Sequence, residues 1–216
     1  MKKLLFITAV TWLGFTYSYA QVTFKPGVRA GLNFSKFTNT DADMKTDFYL
    51  GATLAIKFVK FYTLQPELTY SRQGVKFTQY SYNYDGSGFD PILPSARTSK
   101  SYSLDYLTVG IINKFTFGKG FQVMVGPSLD FKVNDNFSSY YTERPEGFDL
   151  SLVAGVGYAF PNGLAIEARI KQGIIDIFGY NLYADEDNYY DNNGNYDDVI
   201  LNQVIQLGVS YTFGKK

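Results

Sequence analysis

The chain has 216 residues with 20 basic and 20 acidic side chains, so its formal net charge is zero, and it contains neither His nor Cys. The balanced charge argues against a nucleic-acid-binding surface. Without Cys the chain cannot form disulfides or use thiol chemistry. Without His it lacks the side chain most often used for acid–base catalysis near neutral pH. Aromatic residues make up 18% of the chain, nearly all of them Tyr and Phe, and such residues are enriched at membrane interfaces.

The first 20 residues have the pattern of a cleavable secretory signal peptide. Two lysines precede an apolar stretch over residues 4–15, and Ser18 and Ala20 place small side chains where a signal peptidase cleaves. The apolar stretch is too short for a helix that spans a bilayer. We therefore expect a signal peptide over residues 1–20 and one exported domain over residues 21–216.

The rest of the chain alternates apolar and polar residues with a period of two, which only a β-strand converts into two faces. The pattern predicts eight strands, at residues 22–35, 48–58, 62–71, 102–117, 121–133, 149–160, 164–171 and 201–213. Long polar connections at 36–47, 78–101, 134–148 and 174–199 alternate with short ones at 59–61, 118–120 and 161–163. The fold class predicted is all-β: an eight-stranded antiparallel up-and-down barrel that spans a membrane.

The fourth strand is the least regular of the eight. Its apolar residues change parity along the strand, with Leu104 and Tyr106 on one parity and Leu107, Val109 and Ile111 on the other. A bulge near Tyr106 would bring them to one face. Pro66 and Pro127 also predict bulges in their strands, because proline cannot donate to the hydrogen-bond ladder.

The apolar face is predicted to contact lipid. In a soluble barrel of the lipocalin kind, the apolar face would point inward and the opposite face would contact water. In the sixth strand that opposite face consists of Asp149 and small residues, which would make a poor soluble surface. Small residues with a few charges are instead what the narrow interior of an eight-stranded barrel accepts. Short turns on one side and long loops on the other are typical of outer-membrane barrels. A secreted lipocalin-like carrier is the remote alternative.

Aromatic residues cluster at both ends of the predicted strands. The periplasmic ends would carry Phe24, Phe58, Tyr62, Phe117, Phe121, Tyr158, Phe160 and Phe213. The outer ends would carry Phe34, Phe48, Tyr70, Tyr102, Phe131 and Phe148. Two such bands are typical of barrels in the outer membrane, so we predict that location, with membrane lipid as a partner.

Inward-facing charges are predicted to pair inside the lumen, because isolated charges there would be costly. The members of this ion-pair network would be Arg29, Glu67, Asp130, Glu167 and Arg169. The network would set the register and plug the barrel, and a selective ion path through the same residues is the alternative. An acid–base pair of Glu67 with Glu167 has no evident substrate pocket. Without His, the usual catalytic base is missing, so we predict no enzyme activity and no cofactor.

The long connections offer residues for surface contacts. They are rich in Tyr, as antibody binding surfaces are. The residues that could make such contacts are Tyr80, Tyr82, Tyr84, Tyr140 and Tyr141. An alternative function is therefore recognition of an extracellular protein or glycan.

The acidic segment 185–198 does not have EF-hand spacing, since Tyr189 and Ile200 would stand where carboxylates belong. We expect a solvated loop there, with at most weak divalent-cation binding.

Six segments resemble the PorT-like outer-membrane β-barrel family of Bacteroidota. They are GVRAGLNFSKF (27–37), LQPELTYSRQG (64–74), LDYLTVGIINKF (104–115), VGPSLDF (125–131), GLAIEARIKQG (163–173) and VIQLGVSYTFG (204–214). Gly110 departs from the Pro that is usual in that family. The resemblance implies an eight-stranded barrel in the outer membrane and no assigned activity. Because the family's namesake is linked to export of surface proteins, an export-accessory role is a further alternative.

Overall fold

The computed structural model describes residues 22–82, 94–137, 145–178 and 199–214, without the side chains of residues 79–82 and 94–97. The predicted signal peptide at residues 1–20 lies outside the described residues.

Eight antiparallel strands close into one barrel in chain order. They are β1 (Thr23–Phe37), β2 (Asp43–Val59), β3 (Tyr62–Tyr82), β4 (Pro94–Phe117), β5 (Phe121–Asp135), β6 (Phe148–Ala159), β7 (Leu164–Gly173) and β8 (Asn202–Thr212). Each strand pairs with its neighbours in sequence, and β1 pairs with β8 to close the ring. The predicted eight-stranded up-and-down barrel is therefore confirmed. In the part of the chain that the structure describes, no helix is both long and apolar enough to cross a bilayer.

The connections give the barrel two different ends. At the end we call the short-turn end, tight turns join β2 to β3, β4 to β5 and β6 to β7. Gly118, Gly120 and Gly163 have positive φ values of 54°, 142° and 93° there, a conformation that glycine adopts without steric cost. The other four connections lie at the opposite end, which we call the long-loop end. Because β1 starts and β8 finishes at the short-turn end, both ends of the barrel domain lie on that side.

The strands extend further toward the long-loop end than the alternation predicted. The predicted connection 36–47 shrinks to residues 38–42, and most of the predicted connection 78–101 belongs to β3 and β4. In that hairpin, pairing continues through Phe77↔Lys100 to Ser81↔Ala96, beyond the last pairs of β3 with β2 and of β4 with β5. For residues 78–82 and 94–101 the loop prediction was wrong, because a ribbon outside the membrane can pair its backbone without an apolar face.

β4 is regular and contains no bulge near Tyr106. Its register against β3 is unbroken at this height, while its register against β5 shifts between Asp105 and Tyr106, where Val133 of β5 is the extra residue. Leu104 and Tyr106 are buried inside the barrel, and Leu107 is exposed outside. The predicted bulge in β4 was therefore wrong. The apolar residues change face because the lumen itself is apolar at this height.

Pro66 and Pro127 also cause no bulge. The ladder of β2 with β3 skips Gln65 and Pro66, and the ladder of β4 with β5 skips Gly126 and Pro127. The register is the same on both sides of each gap. A missing N–H thus interrupts the ladder without inserting a residue, and the predicted bulges were wrong.

The apolar face of the barrel points outward. Leu152, Ile166 and Val209 are all exposed, whereas Arg29 and Arg169 on the opposite face are buried. A soluble carrier needs the reverse arrangement. This orientation contradicts the lipocalin-like alternative.

Aromatic residues surround the outside of the barrel near both ends. At the short-turn end, Tyr62 is half-buried and the other seven predicted band residues are exposed. At the long-loop end, Phe48, Phe131 and Phe148 are exposed, with Phe34 and Tyr70 half-buried. The prediction for Tyr102 was wrong: it is only 4% exposed and lies in the interior.

An apolar cluster fills the lumen toward the long-loop end. We call it the apolar cap, and its buried members are Phe37, Val75, Tyr102, Leu104, Tyr106, Phe137 and Ile177. Phe137 and Ile177 come from the connections that follow β5 and β7. The Phe137 ring centroid lies 5.0 Å from that of Tyr102 and 6.2 Å from that of Phe37. The described residues of these two connections therefore pack inward over the lumen.

Candidate functional site in the barrel lumen

Glu67 on β3 lies between two guanidinium groups at the centre of the lumen. Arg29 Nη1 donates to Glu67 Oε2 at 2.6 Å. Arg169 donates through Nη1 to Oε2 and through Nη2 to Oε1, both at 2.9 Å. Gln65 Nε2 donates the fourth hydrogen bond to this carboxylate, at 2.7 Å from Oε1. The two-pronged pairing of Arg169 with Glu67 is the strongest geometry available to an ion pair of this kind.

Arg169 also connects this group to Glu167. Its Nη2 donates to Glu167 Oε2 at 2.8 Å, while Lys114 Nζ and Ser210 Oγ donate to Oε1 at 2.6 and 3.0 Å. Three cations and two carboxylates thus form one continuous group, which we call the central cluster: Arg29, Glu67, Lys114, Glu167 and Arg169. None of the five is more than 6% exposed.

Glycines in neighbouring strands make room for these long side chains. Arg29 stands opposite Gly51, Glu67 opposite Gly110, and Arg169 opposite Gly155. A Cβ atom at Gly155 would lie 2.8 Å from Cγ of Arg169, so a larger residue there would displace the guanidinium. The interior of an eight-stranded barrel is only wide enough for its own side chains, which explains why small and long residues alternate around it.

Tyr49 supports the central cluster from the side. The guanidinium carbon of Arg29 lies 4.5 Å from the Tyr49 ring centroid, a distance typical of cation–π contact. The Tyr49 hydroxyl lies above two glycines, since a Cβ at Gly31 or Gly208 would be 2.7 or 2.1 Å from it. Both glycines are needed for Tyr49 to lie flat beside Arg29.

Asp130, the fifth residue of the predicted network, lies apart from the other four. Lys171 and Thr108 bind its carboxylate, and Ser151 Oγ lies 3.4 Å from it. Among the described residues, no ion pair joins Asp130 to the central cluster. The structure therefore brings together Arg29, Glu67, Glu167 and Arg169, while Asp130 belongs to a second group closer to the long-loop end.

The predicted network omitted Lys114 and Lys171, which both lie in the lumen. Lys171 shares the parity of Glu167 and Arg169, so the alternation of β7 already carried the signal for it. Lys114 lies on β4. Because a bulge was expected near Tyr106, the sequence did not show which residues of β4 point into the lumen. A regular β4 would have placed Lys114 inside.

The central cluster leaves little space for a reacting molecule. A cavity of about 20 Å³ beside it is lined by Glu67, Thr69, Ser128 and Arg169 among others, which is room for about one water. Both carboxylates are already paired with Arg169. The geometry does not support Glu67 and Glu167 as an acid–base pair.

Below the central cluster the lumen opens toward the short-turn end. This space, which we call the vestibule, has a volume of about 700 Å³. Four lysines line it: Lys25, Lys57, Lys60 and Lys114. The lumen thus has three levels: an open basic vestibule, a central ion cluster and an apolar cap.

The predicted surface residues are only partly described. The backbones of Tyr80 and Tyr82 belong to β3, whereas Tyr84, Tyr140, Tyr141 and the acidic segment 185–198 lie outside the described residues. Among the residues that are described, no group of three or more acidic side chains is arranged to hold a metal ion.

Solved structures similar to this chain have low sequence identity to it. Ail, the attachment invasion locus protein of Yersinia pestis, is 10% identical with a TM-score of 0.43, over 88% of this chain and 98% of Ail. Neisserial surface protein A is 14% identical with a TM-score of 0.46, over 88% of this chain and 97% of that chain. No curated protein sequence matches significantly.

A comparison with protein families gives a direct assignment. The family model described as "Outer membrane protein beta-barrel domain" matches residues 19–179. The match covers more than half of the chain, and the closed ring of eight antiparallel strands agrees with it. The chain therefore belongs to the outer membrane protein β-barrel domain family and is a protein of the outer membrane.

Proposed function

We propose that this protein has a structural role in the cell envelope, as an outer-membrane barrel whose lumen is plugged and supports at most a narrow path for small solutes. The observation that carries the proposal is the central cluster. Its five buried charges are contributed by β1, β3, β4 and β7 and are joined by contacts of 2.6–2.9 Å. An ion crossing the lumen would have to separate these pairs, and separating buried ion pairs costs several kcal/mol.

The apolar cap supports the same function from the other side of the lumen. Tyr102, Phe137 and Ile177 are at most 4% exposed, and apolar constrictions oppose the passage of ions by excluding water. The proposal includes no catalysis, since Glu67 and Glu167 are both paired with cations and the chain has no His.

Planar-bilayer recordings test the closed lumen. We expect the purified wild-type barrel to give no steady open level. A variant in which Arg29, Glu67, Glu167 and Arg169 are replaced by Ser and Phe137 by Ala loses the ion pairs of these four residues and part of the apolar cap without changing the net charge, and it should conduct. Folding of each protein is checked by its shift in electrophoretic mobility on boiling. A steady open level of the wild type would overturn the proposal.

A second candidate function, surface recognition, is favoured by the length of the β3–β4 hairpin. β3 has 21 residues and β4 has 24, whereas a tilted strand needs about 9–11 residues to span the membrane. The surplus forms a two-stranded ribbon that extends past the barrel at the long-loop end. The partner would be an extracellular protein or glycan, or a component of protein export.

Deletion of residues 78–101 tests this second function. A partner captured by the intact barrel should be lost, while the mobility shift on boiling remains. Capture that is unchanged by the deletion would remove the hairpin as the recognition element.

We further infer that the chain is a PorT-like member of the Bacteroidota barrels, exported by a signal peptide over residues 1–20. Six segments spread over the mature chain support the narrower family, and an outer-membrane location requires export. N-terminal sequencing of the protein from the membrane should begin at Gln21. A mature protein that still begins at Met1 would contradict the cleavage.

A further inference from the structure

The carboxylates of the lumen are concentrated toward the long-loop end of the barrel. Toward the long-loop end, the inward-facing groups include Asp47, Asp130 and Asp149, whose side chains are mostly buried. From the central cluster to the short-turn end, the described residues contain no carboxylate besides Glu67 and Glu167. Although the whole chain is neutral, one half of its lumen is basic.

The vestibule concentrates this positive charge. Of its 19 lining residues, four are lysines and none is acidic. Lys114 lies at the inner end, where Glu167 neutralises it, while Lys57 and Lys60 are exposed near the mouth. Neither Lys57 nor Lys60 has an ion-pair partner among the described residues. Each ammonium group can donate three hydrogen bonds and accept none, so the lining presents donors to whatever enters.

Uncharged donors lie between the lysines. Hydroxyl groups of Thr63 and Thr116 and the amide of Asn162 belong to the same lining. The volume of about 700 Å³ is within the range of small-molecule sites. Size and donor content together fit a small solute rich in oxygen acceptors.

The inner end of the vestibule is closed. Its floor includes Lys114 of the central cluster. That cluster has one more cation than carboxylates, since Arg29, Arg169 and Lys114 pair only with Glu67 and Glu167. An anion that enters therefore meets a positive floor as well as positive walls, and it leaves by the way it came. This geometry is that of a pocket.

We propose that the vestibule is a binding site for a small multivalent oxyanion, a solute with several phosphate or carboxylate groups that enters from the periplasm. The periplasmic side follows from the short turns, which outer-membrane barrels place in the periplasm. Lys57 and Lys60 bind the anion at the mouth, while Lys25 and the hydroxyl donors contact it further in. Anion binding is separate from the proposed closed-lumen function. It requires only the open vestibule and does not depend on whether the lumen conducts.

Calorimetric titration of tripolyphosphate into the mature barrel in zwitterionic detergent tests the site. We expect saturable binding to the wild type that weakens as salt is added, since salt screens accessible charges. The double variant Lys57→Gln with Lys60→Gln should bind about tenfold or more weakly, because it loses two charges that face the anion. Both lysines are exposed and lie at the rim, so the barrel should still fold.

The matched control is Lys76→Gln with Lys119→Gln. It removes the same charge from two exposed lysines that do not line the vestibule, and it should bind within about twofold of the wild type. Citrate should compete with tripolyphosphate, and the neutral solute sucrose should not. Absence of binding to the wild type, or equal loss in both double variants, would overturn the proposal.

Discussion

The guanidinium of Arg169 on β7 and the carboxylate of Glu67 on β3 face each other across the barrel and are joined by two hydrogen bonds of 2.9 Å each. The two residues are 102 positions apart in sequence, and their strands are on opposite sides of an eight-stranded ring. This pair ties the two halves of the barrel together through its interior.

Replacing Glu67 with Gln should destabilise the barrel strongly. The change leaves Arg29 and Arg169 buried without the carboxylate that both contact, and removing one partner of a buried pair costs about 3–5 kcal/mol. Urea unfolding of the protein in lipid vesicles measures the loss. Adding Arg29→Gln should recover part of it by removing one stranded cation.

The control for Glu67 is Arg72→Ala. The Arg72 side chain is 42% exposed and lies 3.5 Å or more from its acidic partners, so its loss should cost less than about 1 kcal/mol. If Glu67→Gln is no more damaging than Arg72→Ala, the central cluster does not hold the barrel together.

A charge on the outer face should show where the membrane lies. Leu152 and Val133 are both 57% exposed, but Leu152 lies between the two aromatic bands and Val133 lies past Phe131 of the outer one. Leu152→Arg should therefore cost about 2–4 kcal/mol of folding free energy in vesicles, and Val133→Arg about 0–1 kcal/mol. Equal costs for the two positions would contradict a membrane that covers only the band between the aromatic residues.

Gly208→Ala tests the packing of Tyr49. The added Cβ would lie 2.1 Å from the Tyr49 hydroxyl and 2.3 Å from the backbone oxygen of Ala30, and overpacking of this kind costs about 1–3 kcal/mol. Adding Tyr49→Phe should relieve the first clash and leave the second, so recovery should be partial.

Gly147→Ala is the matched control for Gly208, because a Cβ there meets nothing within 4 Å. Its unfolding free energy should stay within about 0.5 kcal/mol of the wild type. A destabilisation equal to that of Gly208→Ala would mean that the loss reflects alanine in place of glycine and not contact with Tyr49.

Phe137→Ala should weaken the apolar cap. Phe137 is buried and packs against Phe37, Tyr102 and Phe178, and a buried Phe replaced by Ala typically costs about 3–5 kcal/mol. Denaturant unfolding measures the effect, with Phe61→Ala as the control, since Phe61 is exposed in the β2–β3 turn. Similar losses for both variants would show that the cap contributes nothing specific.

The sequence alone determined the number of strands, the direction of the apolar face and the two kinds of connection. Each of these follows from a local property: alternation with a period of two assigns faces residue by residue, and tight turns at Gly118, Gly120 and Gly163 need only their own backbone. Even the choice between lipid and a soluble core could be argued locally, because the other face consists of small residues and a few charges.

Only the tertiary structure decided which charges meet and where the lumen is closed. Closing a barrel staggers its strands, and that stagger places Arg169 against Glu67 and leaves Asp130 with Lys171. The alternation along a strand cannot predict these pairs, since it shows which face a side chain is on and not its position along the barrel axis. For the same reason Tyr102 was assigned to lipid, although Phe137 and Ile177 from distant connections enclose it inside the lumen.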